Sequence, residues 1–329
     1  MKISVIIPVY KGEKFIAEQL ASLAAQTLPP DEVLIGDDSG TDDATLQAIE
    51  KFRSTSKLPF ELHYSRNPQQ LGINKNFKHL SEKVSGDLCF FCDQDDVWLP
   101  DKIKVMAEAF ENSPHAGAVC CFSTITDESL VPWPVQPVVS ESVLSEILQS
   151  PEKIFRAFLA ERITAAGHNI ALSRKMLALI PEWQEYVLYD YWLLQCCALA
   201  EKLILIPRKM TLHRVHSANA TISEKNNVKS PLLARVFSIV TNTDRQKEFE
   251  DLLRKTKSLL EHVEDSRLKE EVPVQNLHLL RNTVSFLQLR IKQRKKNIFC
   301  RLFLSPFLLK GYFSYANGWR SFLRDLAGV

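Results

Sequence analysis

The chain has 329 residues, 45% of them hydrophobic, and a formal net charge of +2. That length supplies one core of about 200–250 residues with an appendage, or two domains. So slight a charge gives no electrostatic case for a nucleic-acid partner.

Seven cysteines, Cys89, Cys92, Cys120, Cys121, Cys196, Cys197 and Cys300, lie mostly in apolar strings, as reduced core thiols of a cytosolic protein do. Cys89 and Cys92 form a CxxC with no second pair or suitably spaced histidine, so no zinc site is expected. MKISVIIPVYKGEKF is charged again too soon for a secretion signal, and no stretch reaches the roughly 18 apolar residues of a spanning helix. A cytoplasmic chain is expected.

Ile3 to Val9 is continuously apolar and β-branched, as in a strand buried on both faces, and Phe15, Ile16, Leu20 and Leu23 then recur at helical spacing. EVLIG at Glu32 to Gly36 predicts a second strand, and Asp42 to Phe52 a second helix opened by the capping residues of TDDA. The alternation continues with a strand at Glu61 to Ser65, a helix at Ile73 to Val84, a strand at Leu88 to Cys92 and a helix from Pro100 to about Phe110. Strands separated by such helices predict an α/β domain with a mostly parallel sheet. Its ligand crevice belongs at the carboxyl ends of the strands, where PVYKGE, DDSGTDD and DQDD fall.

Ala118 to Ser123 reads as a further strand, and the Pro-rich VPWPVQPVV at Val131 to Val139 as irregular. His168 to Ser173 predicts a strand, Asp190 to Ala200 a helix, and Leu203 to Ile206 and Met210 to Val215 two more strands. Residues 1–217 form the predicted catalytic domain and 218–230 a polar linker. Residues 231–329 form a helical region, with one apolar stripe through Phe249, Leu252, Leu253, Leu260 and Val263 and another through Leu277, Leu280, Val284, Leu287 and Ile291.

The chemistry concentrates in FFCDQDDVWLP, where Asp93, Asp95 and Asp96 crowd within four positions although each raises the others' pKa. A turn tolerates one or two such carboxylates as caps; a cation accounts for all three. There is no GxGxxG after the first strand and no GxxxxGK[ST], and with ten glycines a cradle of backbone amides for phosphate is poorly supplied. A hard divalent ion, Mg²⁺ or Mn²⁺, takes oxygen ligands and leaves positions for water and substrate phosphates.

SVIIPVYKGEKFIAEQLASLAAQT, DDSGTDD, NPQQLGINKNF and CDQDDVWLPDK, in this order, resemble an inverting glycosyltransferase of family 2 with the GT-A fold, over about residues 1–217. DQDDVWLP is similar to the rhamnosyltransferase-like subgroup. The resemblance implies that Pro8, Val9, Tyr10, Glu13 and Asn76 line the nucleotide pocket and that Asp38 accepts the N3 proton of a uracil or thymine. It gives Asp95 to the ribose or the metal, Asp96 to the metal and Asp93 to their support. An acidic residue opening a late helix serves as base, which points to Asp190 in VLYDYWLLQ with Glu185 as the alternative, and Tyr191 and Trp192 form a sugar or acceptor platform. In LHRVHSANAT, Arg214 and His216 reach the diphosphate or its metal, with little weight on His213. The donor is then a nucleoside diphosphate sugar and the acceptor a glycan or lipid-linked saccharide. The QxxRW signature of processive synthases is absent, which favours single addition. A nucleotidyltransferase is disfavoured because a Gly-rich, Lys-containing loop is missing after Val9.

Lys292 to Leu326 interleaves a basic run with Phe299, Leu302, Phe303, Phe307, Tyr312, Phe313, Tyr315 and Trp319. That mixture predicts contact with an anionic membrane surface, peripheral on the cytoplasmic face. The sequence leaves oligomeric state open, a homo-oligomer included.

Overall fold

A computed structural model of the chain describes residues 1–134, 141–163, 166–217, 219, 242–294 and 311–312. It divides into two compact units, Met1–Ile154 with Thr164–His216 and Phe155–Ile163 with Ser217–Val329. The linker expected at 218–230 lies outside the described residues apart from 219, and so does the interfacial tail apart from the end of its preceding helix and residues 311–312. Among the described residues no helix is long and apolar enough to cross a membrane.

The first unit is built on an eight-stranded sheet: β1 (Ile3–Val9), β2 (Glu32–Asp37), β3 (Glu61–Arg66), β4 (Leu88–Phe91), β5 (Val97–Trp98), β6 (Ala118–Thr126), β7 (Ile170–Ser173) and β8 (Leu203–Arg214), in the order β3-β2-β1-β4-β7-β6-β8-β5. The four strands β3, β2, β1 and β4 are parallel, as the alternating helices predict. Beyond them the sheet is mixed: β7 runs antiparallel to both β4 and β6, and β5 antiparallel to β8. Leu203–Arg214 is one strand where the sequence predicts two. The polar interval Pro207 to Lys209 stays within it, at the cost of register shifts opposite Cys120, Phe122 and Ser123 of β6.

Both faces of the parallel part are covered. Ile3, Val5, Ile7 and Val9 pack with Ile16, Leu20 and Leu23 of helix α1 (Ile16–Ala24) and with Ile103, Met106 and Phe110 further along the chain. On the opposite face Phe77 stacks on Phe91, ring centroids 5.4 Å apart. The cysteines Cys89, Cys92, Cys120, Cys121, Cys196 and Cys197 are free and buried, in keeping with core thiols.

The remaining helices of the first unit are α2 (Ala44–Thr55), α3 (Ile73–Ser81), α4 (Lys102–Glu111), α5 (Glu141–Ile147), α6 (Pro151–Leu159, which ends in the second unit), α7 (Arg174–Leu177) and α8 (Tyr189–Leu199). The second unit contains α9 (Asn242–Glu264) and α10 (Val274–Arg294); of the first predicted stripe Val263 is buried and Phe249, Leu252, Leu253 and Leu260 are half-buried, while Leu277, Leu280, Val284, Leu287 and Ile291 of the second are all buried. Arg281 pairs with Glu264, and the Arg290 guanidinium lies 3.9 Å from the Phe249 ring centroid.

Gly86 is fixed by crowding. A Cβ there meets the Ser4 amide nitrogen at 2.8 Å and the Lys2 carbonyl at 2.9 Å, where β1 enters the sheet. Both obstacles are backbone, so Gly86→Ala is expected to destabilise the first unit by about 1–3 kcal/mol, read as a lowered urea midpoint.

Candidate active site

The loops after β1, β2 and β4 meet through backbone and amide groups. Gln94 accepts a hydrogen bond from the Tyr10 amide at 2.9 Å and returns one to the Tyr10 carbonyl at 3.2 Å. The Lys11 amide donates to Ser39 Oγ at 2.8 Å, with Lys11 held at a positive φ of 50°. A Cβ on Gly12 would come 2.5 Å from Gln94 Oε1, so a larger residue there would push the Gln94 amide aside. The three loops that the sequence places at one sheet edge thus meet one another.

Each aspartate of DQDD meets an imidazole. His168 Nδ1 lies 3.1 Å from Asp93 Oδ2 and 3.1 Å from Asp96 Oδ2. His213 Nδ1 is 3.0 Å from Asp96 Oδ1, and His216 Nε2 is 2.8 Å from Asp95 Oδ2. The His168 and His213 rings stack, centroids 4.6 Å apart. Asp96 is fully buried and also accepts from the Arg214 amide at 3.0 Å, whereas the Asp93 side chain is 29% exposed and the most open of the three.

These neighbours split the carboxylates electrostatically. Burial pushes Asp95 up to about 6, helped by the charges of Asp96 and Asp93. Burial also works to raise Asp96, but His168 and His213 outweigh it and hold that carboxyl below its ordinary value. Burial acts to lower His213, yet its bond to Asp96 raises it to about 9. Asp95 is thus less favoured as an anion than Asp96.

Among the described residues one donor set is of a size to hold a metal ion. Asp96, His168 and His213 offer ligand atoms within 4.8 Å of one another, and Asp96 Oδ2 is buried without a hydrogen bond. Asp95 and His216 offer a second convergence, beside the partly exposed Asp93. An Mg²⁺ or Mn²⁺ that must also reach substrate phosphates needs an open side, and Asp93 is the most open of the three carboxylates. Asp96, expected as a metal ligand, lies in the enclosed set, with its Oδ1 taken by His213 and the Arg214 amide.

Asp190 opens α8, half-buried. Its carboxylate accepts from the Gly167 amide at 3.1 Å and the Tyr191 amide at 2.7 Å, and burial followed by the charge of Asp93 carries it up to about 6 despite those bonds. Glu185, the alternative base, is exposed, and its pairing with Lys75 at 2.6 Å holds it below its ordinary value. Gly167 is required: a Cβ there would lie 1.7 Å from the Tyr189 hydroxyl, and Tyr189 is itself buried on Phe77 and Phe91.

Several residues assigned by the resemblance sit elsewhere. Val9 points its side chain into the core and Pro8 is half-buried in β1, while Tyr10 is 47% exposed at the site's rim. Glu13 is exposed and accepts weakly from Thr45. Asn76 is buried, tying α3 to the Gly36 carbonyl at 2.8 Å, so it is a packing link rather than a nucleotide contact. Asp38 accepts from Asn67 Nδ2 at 2.6 Å, Leu71 N at 3.2 Å and Gly72 N at 2.8 Å, pinning the loop that ends at Gly72. Trp192 is core, its indole N–H turned to the Pro181 carbonyl, so of the expected sugar platform only Tyr191 stays half-buried. The Arg214 guanidinium, expected on the diphosphate, binds Glu18 and the carbonyls of Asp95 and Glu128 and lies 4.5 Å from the Phe15 ring centroid.

His168 is the residue the sequence reading missed. HNIALS reads as a strand, and the signal lay in the polar His-Asn pair ahead of its apolar run.

Residues 4–179 match the family model of glycosyl transferase family 2. Among curated relatives, an uncharacterized glycosyltransferase of Nostoc sp. (strain PCC 7120) is 26% identical over 228 residues, 68% of this chain and 67% of that protein. A dTDP-rhamnosyl transferase of Shigella flexneri is 38% identical over 98 residues, 29% of this chain and 33% of that protein. Of solved structures, the Staphylococcus aureus poly(ribitol-phosphate) beta-N-acetylglucosaminyltransferase, as residues 1–349 with UDP-GlcNAc, aligns with a TM-score of 0.57 at 19% identity, covering 87% of this chain and 72% of that one. A mannosyltransferase of Pyrobaculum calidifontis, with GDP-Man and Mn²⁺, aligns with a TM-score of 0.56 at 16% identity, covering 99% and 85%. Both share the GT-A architecture of a large sheet flanked by helices.

Asp190 yields a pH-dependent prediction. Its folded carboxyl sits at about 6, and an unfolded aspartate near ~4. Wild type therefore carries the cost of an ionised half-buried group fully above pH 6 and not at all below about pH 4. The stability of Asp190→Asn relative to wild type is expected to rise over that window by up to about 3 kcal/mol, followed by thermal melts; a pH-independent difference would contradict the shifted carboxyl.

Proposed function

The chain belongs to glycosyl transferase family 2, and from that membership and the Asp95 and Asp190 geometry we propose that it moves one sugar, with inversion, from a dTDP- or UDP-sugar to a cell-surface polysaccharide or lipid-linked glycan. The observation that carries the reading is the pairing of two unlike acidic centres. One is the DQDD loop, tied by Gln94 to the Tyr10 loop. The other is a lone carboxyl at Asp190 that feels the charge of Asp93 yet belongs to a different element.

Inverting transfer is a single displacement. The acceptor hydroxyl oxygen bonds to the anomeric carbon as that carbon's bond to the diphosphate oxygen breaks, the hydroxyl proton passes to Asp190, and the nucleoside diphosphate leaves. A carboxyl near 6 is ionised at neutral pH and still basic enough to accept that proton. The Gly167 and Tyr191 amides hold it in place. Asp95 and His216 would hold an Mg²⁺ or Mn²⁺, which supplies positive charge to the departing diphosphate. Tyr10, exposed beside Gln94, is available to stack on the base. The likeness to the Shigella dTDP-rhamnosyl transferase favours rhamnose, and the basic aromatic tail favours an acceptor at a membrane surface.

Thermal shift with dTDP, UDP and GDP, each with and without Mn²⁺, tests the donor side. A nucleotide at 100 times its Kd stabilises by about 2.7 kcal/mol, and an Mn²⁺-dependent response to dTDP or UDP that Asp95→Asn abolishes is expected. Silence across the panel would point to a fold that no longer binds donor. Asp190→Asn is expected to keep that response and to lose transfer by about 10²–10⁴-fold; unchanged transfer would remove Asp190 from the reaction. The rate should fall below about pH 6 as Asp190 takes a proton. Asp95 titrates in the same window, and nucleotide binding reports it separately.

A further inference from the structure

We infer that Lys102 is a positioning residue: through Thr211, Asn169 and Ser123 it keeps the proton of His168 on Nδ1, so that this imidazole donates a hydrogen bond to Asp93 beside Asp96 and is not a metal ligand.

The inference follows the direction of each hydrogen bond. A lysine amine reaches its partners here as donor, and Lys102, fully buried, gives its N–H groups to the His168 carbonyl at 2.5 Å and Thr211 Oγ1 at 2.7 Å, with the Trp98 ring centroid 3.8 Å from Nζ. Thr211 has one proton, which goes to Asn169 Oδ1 at 2.8 Å. That fixes the amide, and the Cys121 thiol, 3.6 Å from the same Oδ1, agrees with it. Asn169 Nδ2 must then donate to Ser123 Oγ at 2.7 Å. Ser123 has accepted there, so its own proton points at His168 Nε2, 2.7 Å away. An imidazole that accepts at Nε2 carries its proton on Nδ1. There Asp93 Oδ2 and Asp96 Oδ2 each lie at 3.1 Å.

The rival is an ion seated among Asp96, His168 and His213, whose donor atoms are close enough for one. Ligation at His168 Nδ1 needs a lone pair there, which moves the proton to Nε2. Ser123 would then receive donors from both Asn169 and His168, and its hydroxyl proton would lose its acceptor. The chain of donors opposes this. What it provides instead is one N–H between two carboxylates that would otherwise repel, leaving Asp95 to face His216 and the donor's ion. That use rests on the transferase reading; the tautomer does not.

Nitrogen-15 NMR of the full chain with ¹⁵N-labelled histidine reads the tautomer directly, His168 being assigned by the signal that His168→Gln removes. In wild type an Nδ1–H, Nε2-unprotonated ring is expected, unmoved by Zn²⁺ alone. Asn169→Asp replaces the donor to Ser123 with an acceptor of the same shape, so it should put a proton on Nε2. It should also raise the apparent Kd for UDP with Mn²⁺ about tenfold. Lys102→Met should weaken the Nδ1 preference without touching the ring. An Nε2–H or zinc-shifted His168 in wild type overturns the inference, as does an unchanged tautomer in folded Asn169→Asp. A flipped tautomer with unchanged UDP affinity overturns the positioning role. Should Asn169→Asp not fold, the wild-type tautomer decides alone; should wild type bind no nucleotide, the transferase reading fails while the tautomer stands.

Discussion

The structure of the first unit turns on one constraint, the confinement of Asp93, Asp95 and Asp96 to four consecutive positions at the end of β4. Three carboxylates so close are tolerable only if positive or donor groups reach them from elsewhere in the chain. They come from three places: His168 ahead of β7, His213 in β8 and His216 just beyond it. The mixed half of the sheet follows from this need. Antiparallel β7 beside β4 returns the chain to the same edge with His168 at its head, and β8 carries His213 and the Arg214 amide back to Asp96. A wholly parallel sheet would deliver its polar loops to that edge but not these particular side chains.

What the sequence disclosed and what it hid separate along the same line. The parallel half was legible because burial on both faces leaves a local mark: ISVIIPV, EVLIGD and LCFF are apolar runs broken by helical stripes. The DQDD cluster was legible because its members are contiguous. Asp190 was legible through resemblance, and its environment supports the choice over Glu185, since the one is half-buried and the other exposed beside Lys75. His168 was hidden because its partners lie 75 residues earlier, a separation that no periodicity records. The reading of Trp192 failed for the converse reason. An aromatic next to an acidic residue suggests a platform, but α8 is buried nearly all round, and the neighbouring position turns inward.

Arg214 shows how one residue can serve the site without facing it. Its amide supports Asp96, its guanidinium holds the Asp95 carbonyl, and the same guanidinium grips Glu18 of α1 and the Glu128 carbonyl. The planar fork suits several fixed acceptors at once, which a lysine could not match. Helix α1, the DQDD loop and the segment after β6 are thereby locked to the end of β8. Phe15, between the Arg214 guanidinium and the His216 ring, fills the space that this crossing leaves.

The carboxylates of this unit are chemically alike and end up with different tasks because their surroundings differ. Asp96, with two imidazoles and an amide, is stabilised as an anion and is therefore a poor base and a good anchor. Asp95 and Asp190 are both raised to about 6, in each case chiefly by burial. Asp95 also feels two acidic neighbours, Asp96 and Asp93, and Asp190 feels Asp93. The proposed transfer, with a charged diphosphate to bind and a proton to accept, calls for one carboxylate of each kind. Contiguity supplies the first, and the second comes from α8, where the Gly167 amide ahead of β7 holds Asp190.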